Sequence, residues 1–421
     1  MNTQRGEMDF ERHSRSELLV KFKPNVSHET IRRITDGLND QIEDEIESVP
    51  GLESIDDLND ESVDVAVEQY RRLPEVEYAE PNYEINLDEV SGRSEPVRPS
   101  DPKFDEQWAL SNQGQRGGKE GADISAMRAW SVTTGTDKVV VAVLDSGVDY
   151  THDDLVSNIW TRPAGMAPYS DANLGTIDDE HGYNAVDNNG DPMDDNGHGT
   201  HCAGIIGAEG GNDIGISGVN WKVQIMPLKF INAGGSGTTK DAIEAINYVI
   251  ERKKAGVNVR VISASWGSTQ RSSALEDVIR KAYEADILFV AACGNSSVDT
   301  DKIPHYPSSY NLGNVISVAA LDRNDQLASF SNFGPKSVAI AAPGVDILST
   351  WLGNEYEEKS GTSMATPVVS GVAALIVAQN KNISVDDLRK RIVTSVDKLA
   401  SLNGKVASAG RINAAKAVGA E

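Results

Sequence analysis

The chain has 421 residues, 39% of them hydrophobic, with 37 glycines and a formal charge of −25. That length holds one large core plus a smaller domain, and the deficit of Lys and Arg excludes the phosphate neutralisation that nucleic-acid binding needs. The acidity is uneven: residues 1–95 carry 25 acidic against 10 basic side chains and the remainder 39 against 29, so a domain boundary falls near residue 95.

The first twenty residues, MNTQRGEMDFERHSRSELLV, are too polar for a secretory h-region. Residues 17–23 alternate as a strand ended by Pro24. Ser27 then caps a helical pattern through Ile31, Ile34, Leu38 and Ile42. A strand-like stretch follows Gly51, Val63 to Leu73 reads as a helix before Pro74, and residues 76–85 form an extended run. Strand, helix, strand, helix, strand in about 75 residues is a small α+β domain. Residues 87–103, with Ser91, Gly92, Ser94, Pro96, Pro99 and Pro102, read as a linker. From Val139 the pattern changes to short apolar runs at 139–144, 223–230, 259–264, 287–292 and 315–319, separated by helix-length stretches such as 239–254 and 272–285. Such alternation predicts a largely parallel sheet covered on both faces. No stretch approaches the 18 apolar residues of a membrane helix, so no membrane association is expected.

Three segments carry the chemistry. Val143-Leu144-Asp145-Ser146-Gly147 places an aspartate at the end of an apolar strand, where ligand sites of such sheets lie. His198-Gly199-Thr200-His201-Cys202-Ala203-Gly204 opens a helix with a histidine, and His201, one turn on, reads as structural. Gly361-Thr362-Ser363-Met364-Ala365-Thr366-Pro367 starts an apolar helix, with Pro367 assigned to its first turn. A hydroxyl, an imidazole to take its proton and a buried carboxylate to fix the imidazole tautomer are the requirements of nucleophilic acyl transfer.

In this order, Asp then His then Ser, the segments resemble the subtilisin-like (subtilase) serine proteases, strongly over about 104–418 and more weakly over 17–86. The resemblance implies a three-layer α/β/α catalytic domain at 104–421 with a largely parallel sheet. It implies a preceding ferredoxin-like α+β propeptide over 1–95 that assists folding, is cut by its own enzyme and stays bound as an inhibitor. Asp145, His198 and Ser363 then form the triad, and Asn295, in Ala291-Ala292-Cys293-Gly294-Asn295, joins the Ser363 N–H as oxyanion donor. Ser265-Trp266-Gly267 would line the primary specificity pocket, Gly235-Ser236-Gly237 the opposing edge, and His305 the pocket floor. A Gly-Thr-Ser-Met-Ala string lacks the second glycine of an α/β-hydrolase elbow, which disfavours an esterase.

The loop 187–195 offers hard oxygen ligands at alternate positions, which suit calcium better than zinc. By resemblance Asp187, Asn189 and Asp191 would bind Ca2+ through side chains and Met193 through its carbonyl, with Asn184 where relatives often have Asp. A second calcium site would join Asp154 to the Asn212 side chain and the carbonyls of Glu209, Ile214 and Ile216. Cys202 and Cys293 read as two buried thiols, with a disulfide between them left open. The expected partners are peptide substrates and the chain's own propeptide, the expected state a monomer. The domain-sized extension implies secretion with the signal already removed.

Overall fold

Strands Val259–Ala264, Leu288–Ala292 and Val315–Leu321 are buried along their whole length, so each needs cover on both faces, and helices supply it. The computed structural model describes residues 16–59, 62–82, 95–171 and 173–420. The chain divides into two compact units, Met1–Val90 and Ser91–Glu421.

The first unit runs β1 (Ser16–Phe22), α1 (His28–Leu38), β2 (Asp40–Glu45), β3 (Leu52–Asp57), α2 (Val63–Arg71) and β4 (Val76–Pro81). Its antiparallel sheet has the order β2-β3-β1-β4. Leu18, Val20, Phe22, Ile55 and Ala79 pack against Ile31, Val67 and Tyr70 of the two helices. The sequence pattern ran α1 on through Ile42, but Asn39 takes the left-handed conformation (φ 61°) and ends the helix. Ile42 then belongs to β2, opposite Ile55, and the sheet has four strands where three were expected. The extended run ends as a strand at Pro81, and residues 83–94, with the first part of the linker, lie outside the described residues. The rest of that linker is built into the second unit: the Val97 N–H donates to the Met127 carbonyl (2.9 Å) and Asp101 is buried.

In the second unit the strands are β5 (Gly135–Asp145), β6 (Tyr169–Asp171), β7 (Gly175–Ile177), β8 (Tyr183–Asn184), β9 (Lys222–Lys229), β10 (Val259–Ala264), β11 (Leu288–Ala292), β12 (Val315–Leu321), β13 (Ile340–Pro343), β14 (Ile347–Trp351), β15 (Glu355–Lys359), β16 (Val396–Lys398) and β17 (Gly410–Ile412). The helices are α3 (Ala126–Trp130), α4 (His198–Gly207), α5 (Thr239–Lys254), α6 (Ser273–Glu284), α7 (Thr362–Gln379), α8 (Val385–Thr394) and α9 (Ala414–Val418). The large sheet has the order β16-β17-β13-β12-β11-β10-β5-β9-β8 and is parallel apart from the β16/β17 pair. Side-chain alternation along β5 makes the layers. Val139, Val141 and Val143 pack with α4 and α7, whereas Val140, Ala142 and Leu144 pack with α5 and α6. The result is a three-layer α/β/α fold.

Contrary to the sequence expectation, α7 has the length and apolar composition of a membrane span. It is 83% buried, the central helix of the core, which a hydropathy pattern alone does not distinguish from a span.

Candidate active site

The carboxyl ends of β5, β10 and β11 meet the N-termini of α4 and α7, and every catalytic candidate sits at one of these ends. Asp145 is the last residue of β5 and 1% exposed. Its Oδ1 lies 2.7 Å from His198 Nδ1 and accepts the Ser146 N–H at 2.8 Å. Holding Nδ1–H on a carboxylate leaves Nε2 as the basic nitrogen. Burial alone would lower the His198 pKa, but the Asp145 charge and hydrogen bond outweigh it and hold the imidazole above its usual range.

Two features bring α4 to that carboxylate. A Cβ at Gly199 would collide with the Gly147 carbonyl oxygen, so only glycine lets the helix approach the turn after β5. Asp194, 5% exposed, then satisfies the helix start: Oδ1 accepts the Gly197 N–H (3.0 Å) and Oδ2 the Thr200 N–H (2.9 Å). Ser146 Oγ ties both together, accepting the Gly199 N–H (2.9 Å) and donating to Asp194 (2.8 Å). The sequence reading left Asp194 inside an acidic loop; the signal available was a cap residue a few positions before a helix with no side-chain cap of its own.

Ser363 is the second residue of α7, so its N–H has no intrahelical acceptor. Pro367 lies in the second turn rather than the first. A residue there would normally donate to the carbonyl four positions back, that of Ser363. Freed by the proline, this carbonyl accepts the Ser265 hydroxyl (2.9 Å) and the Cys202 thiol (3.6 Å). The Ser363 hydroxyl donates to the Ser265 carbonyl (3.0 Å) rather than to His198. Cys202 Sγ and the polar atoms of Asp145 and His198 lie within 4.8 Å of one another, which puts the Ser363 main chain beside the Asp-His pair. Cys202 and Cys293 are free and buried. His201 is buried on the Glu357 carbonyl (2.9 Å), its pKa lowered by burial to about 4.

Asn295 follows β11. Its Oδ1 accepts both the N–H and the hydroxyl of Thr362 (2.9 Å each), and Nδ2 and the Ser363 N lie 3.6 and 3.5 Å from where a Cβ on Gly361 would stand. Two donors converging at a helix N-terminus form a site for developing negative charge.

Gly235, Ser236 and Gly237 line a cleft of about 300 Å³ together with Trp266 and Gly267. Ser265 lies beneath Ser363, exchanging the two hydrogen bonds described. His305 is wedged between the segments that flank the nucleophile. A Cβ at Gly267 would overlap the His305 ring, and one at Gly294 would stand 2.9 Å from its Cδ2. Burial lowers the His305 pKa, and its Nδ1 has no partner among the described residues.

The two candidate metal segments differ. In the 187–193 loop, Asn184 Nδ2 donates to Asp187 Oδ2 and to the Asp191 carbonyl (3.0 Å each). Asn189 Oδ1 accepts the Asp191 N–H (2.9 Å), and Asp191 Oδ1 accepts the Met193 N–H (3.2 Å) and the Tyr150 hydroxyl (2.9 Å). The oxygens are thus largely engaged within the loop. Around Asp154 the side-chain oxygens are engaged too, and the difference lies in the main chain. Asn212 Nδ2 donates to Asp154 Oδ1 (3.0 Å), the Ile216 N–H (2.9 Å) and the Tyr356 hydroxyl (3.2 Å) donate to Oδ2, and Asn212 Oδ1 accepts the Ile214 N–H (2.8 Å), but no donor among the described residues reaches the carbonyls of Glu209, Ile214 or Ile216. Asp101, missed in the sequence reading because it sat in an apparent linker, joins them: Oδ2 accepts the Gly211 N–H (2.8 Å) and the buried Oδ1 has no partner among the described residues. Burial raises both carboxyls, Asp154 to about 6, with a further push on Asp154 from the Asp101 charge and on Asp101 from the Asp213 charge.

A family model described as the subtilase family matches residues 136–411, and one described as the fervidolysin N-terminal prodomain matches 9–82. The thermophilic serine proteinase of Bacillus sp. (strain AK1) is 37% identical over 85% of this chain and 76% of its own. Thermitase of Thermoactinomyces vulgaris is 36% identical over 70% of this chain and 93% of its own. Among solved structures, a protease from Pseudoalteromonas arctica aligns with TM-score 0.62 and 28% identity over 76% of this chain and 99% of its own.

Proposed function

Since the chain belongs to the subtilase family of serine proteases and carries an N-terminal prodomain, we propose that it is a secreted zymogen that removes its own prodomain through an acyl-enzyme on Ser363. The observation that carries this reading is the 2.7 Å Asp145–His198 contact set beside Ser363, with Asn295 pinned to the start of α7. In the reaction, Ser363 Oγ turns from the Ser265 carbonyl to His198 Nε2, gives up its proton and attacks the scissile carbonyl. His198 returns that proton to the leaving amine. Asn295 Nδ2 and the Ser363 N–H bind the tetrahedral oxyanion, where one such donor contributes about 3–4 kcal/mol. A fluorophosphonate probe should label Ser363 in the native chain; an intact triad that leaves Ser363 unlabelled would refute the assignment.

Peptide is held along the two edges at 235–237 and 265–267, where glycines admit a substrate backbone. The His305 ring lies against Gly267 and Gly294, so a side chain preceding the scissile bond that enters between Ser265–Gly267 and Gly294–Asn295 would meet it. His305 therefore restricts that pocket to small side chains. With His305→Ala, kcat/KM for phenylalanine at this position should rise at least tenfold relative to alanine, since a methylene or two of pocket volume contributes about 1–3 kcal/mol. An unchanged ratio on a peptide library removes His305 from the specificity machinery.

Asp101, Asp154, the Asn212 side chain and the carbonyls of Glu209, Ile214 and Ile216 fit Ca2+: all are oxygens, and two buried carboxylates have no cation paired with them among the described residues. The Asp187, Asn189, Asp191 and Met193 loop fits less well, because Asn184 already donates to the Asn189 and Asp191 carbonyls through its N–H and Nδ2, whereas the three carbonyls of the 209–216 loop accept no donor among the described residues. A bound ion would supply charge neutralisation and tie the 209–216 loop to Asp101 before β5 and Asp154 after it, a structural role. Without it, raised folded-state pKa values mean that stability is present when Asp101 and Asp154 are protonated and is lost as they ionise, for Asp154 as pH rises through about 6. Chelation should accordingly lower Tm more at pH 8 than at pH 5. Calcium at a hundredfold excess over Kd should restore about 2.7 kcal/mol, and Asp154→Asn should blunt the response. An equal chelator effect at both pH values would contradict the assignment.

A further inference from the structure

The prodomain carries a cluster of ionisable groups that no step of proteolysis uses. β2 and β3 pair with Glu45 opposite Glu53, and like charges directly opposite on a ladder destabilise it. Glu53 also stands opposite Val20 of β1 and two residues from Ile55, on the face where Leu18, Val20 and Ile55 form the core. It is 2% exposed, and its Oε1 has no hydrogen-bond partner among the described residues. A buried, unpaired carboxylate is costly, and burial accordingly raises its pKa. Among the described residues no Lys or Arg pairs with it.

What faces the two glutamates is His28, the first residue of α1, with Nε2 3.6 Å from Glu45 Oε1. One ligand atom from each of His28, Glu45 and Glu53 lies within 4.8 Å of the other two. An imidazolium paired to Glu45 leaves the Glu53 oxygen unsatisfied, whereas one divalent ion at the centre serves all three groups. We propose that His28, Glu45 and Glu53 form a divalent transition-metal site of the zinc type that staples the start of α1 to the β2/β3 ladder. One imidazole nitrogen with two carboxylate oxygens is a zinc ligand set that leaves a fourth position for water. The nitrogen ligand selects against calcium and magnesium, which take oxygen. The His28 and Glu45 side chains are 69% and 42% exposed, so an ion reaches the site from solvent. Binding neutralises Glu53 and couples metal supply to prodomain stability, and hence to how long the zymogen persists.

The test is calorimetric Zn2+ titration of the full chain carrying Ser363→Ala, which keeps the two units joined, beside the same chain with His28→Ala or Glu53→Gln. The Asp145, His198 and Cys202 group is common to all three chains, so zinc taken up there is a constant background. The parent should bind one zinc that both variants lose or bind at least tenfold more weakly. Zinc should also raise the unfolding temperature of the prodomain in the parent and not in His28→Ala, whose exposed position leaves the fold intact by circular dichroism. Calcium should produce no such difference. Equal zinc stoichiometry and affinity in the parent and His28→Ala, or a calcium response matching that of zinc, would reduce the cluster to a His-carboxylate ion pair and overturn the proposal.

Discussion

Replacing Ser363 by alanine is expected to lower kcat about 10⁶-fold and to leave the purified chain uncut, while the native chain separates into its prodomain and catalytic parts. The magnitude follows from the way triad members act as a unit: without the hydroxyl, His198 has no proton to take, and what remains over water comes from the oxyanion donors and substrate binding alone. The substitution removes one hydrogen bond, to the Ser265 carbonyl, with a stability effect of only about 0.5–1.5 kcal/mol. Thermal unfolding of the variant should therefore remain close to native, which separates a chemical defect from a folding one. Mass spectrometry of the two proteins side by side reads the outcome. Processing of the alanine chain at the native rate would mean that another group, or another enzyme, makes the cut.

Asp145→Asn is the next largest effect, about 10⁴-fold in kcat, and it carries a pH signature that a structural lesion lacks. An amide in place of the carboxylate can donate to Nδ1 and so favours the wrong imidazole tautomer. In the native protein burial works to lower the His198 pKa, and the Asp145 charge with its 2.7 Å hydrogen bond more than offsets it. His198 acts as a base only when neutral, so native activity should be lost as pH falls through a value above about 6.5. With that carboxylate gone, burial is opposed only by the weaker influence of the Asp194 charge, and the acid limb of kcat/KM should move to lower pH even as its plateau falls. A lower plateau with an unmoved limb would show that Asp145 does not set the base's protonation.

Apolar runs at 139–144, 259–264 and 315–319 appear as the buried parts of β5, β10 and β12, because a strand segment covered on both faces must be apolar, whereas the partly exposed start of β5 at 135–138 carried no such signal. Helix α5 was legible to the residue, with Thr238 capping it and basic residues in its last turn. Other features were hidden because their cause is not local. Ile42 continued a helical period, yet Asn39 in the left-handed conformation hands it to β2. Pro367 resembled a first-turn proline, yet it sits one turn deeper, where the carbonyl it frees is taken by Ser265 and Cys202. Asp101 lay in a Pro-rich stretch that looked like a tether, and only the return of the 209–216 loop beside it makes it a ligand candidate.

Residue order by itself determined the reaction class: an aspartate ending an apolar strand, a histidine opening a glycine-containing helix and a serine two residues into a buried one are local patterns, each stated within a few residues. The tertiary structure alone decided which groups are charged, paired and reachable. Whether Asp145 is within 2.7 Å of His198, whether the Ser363 hydroxyl rests on Ser265, and whether Glu53 finds a cation all depend on packing between segments distant in the chain. Desolvation and distance set those energies, and neither exists until the chain has folded.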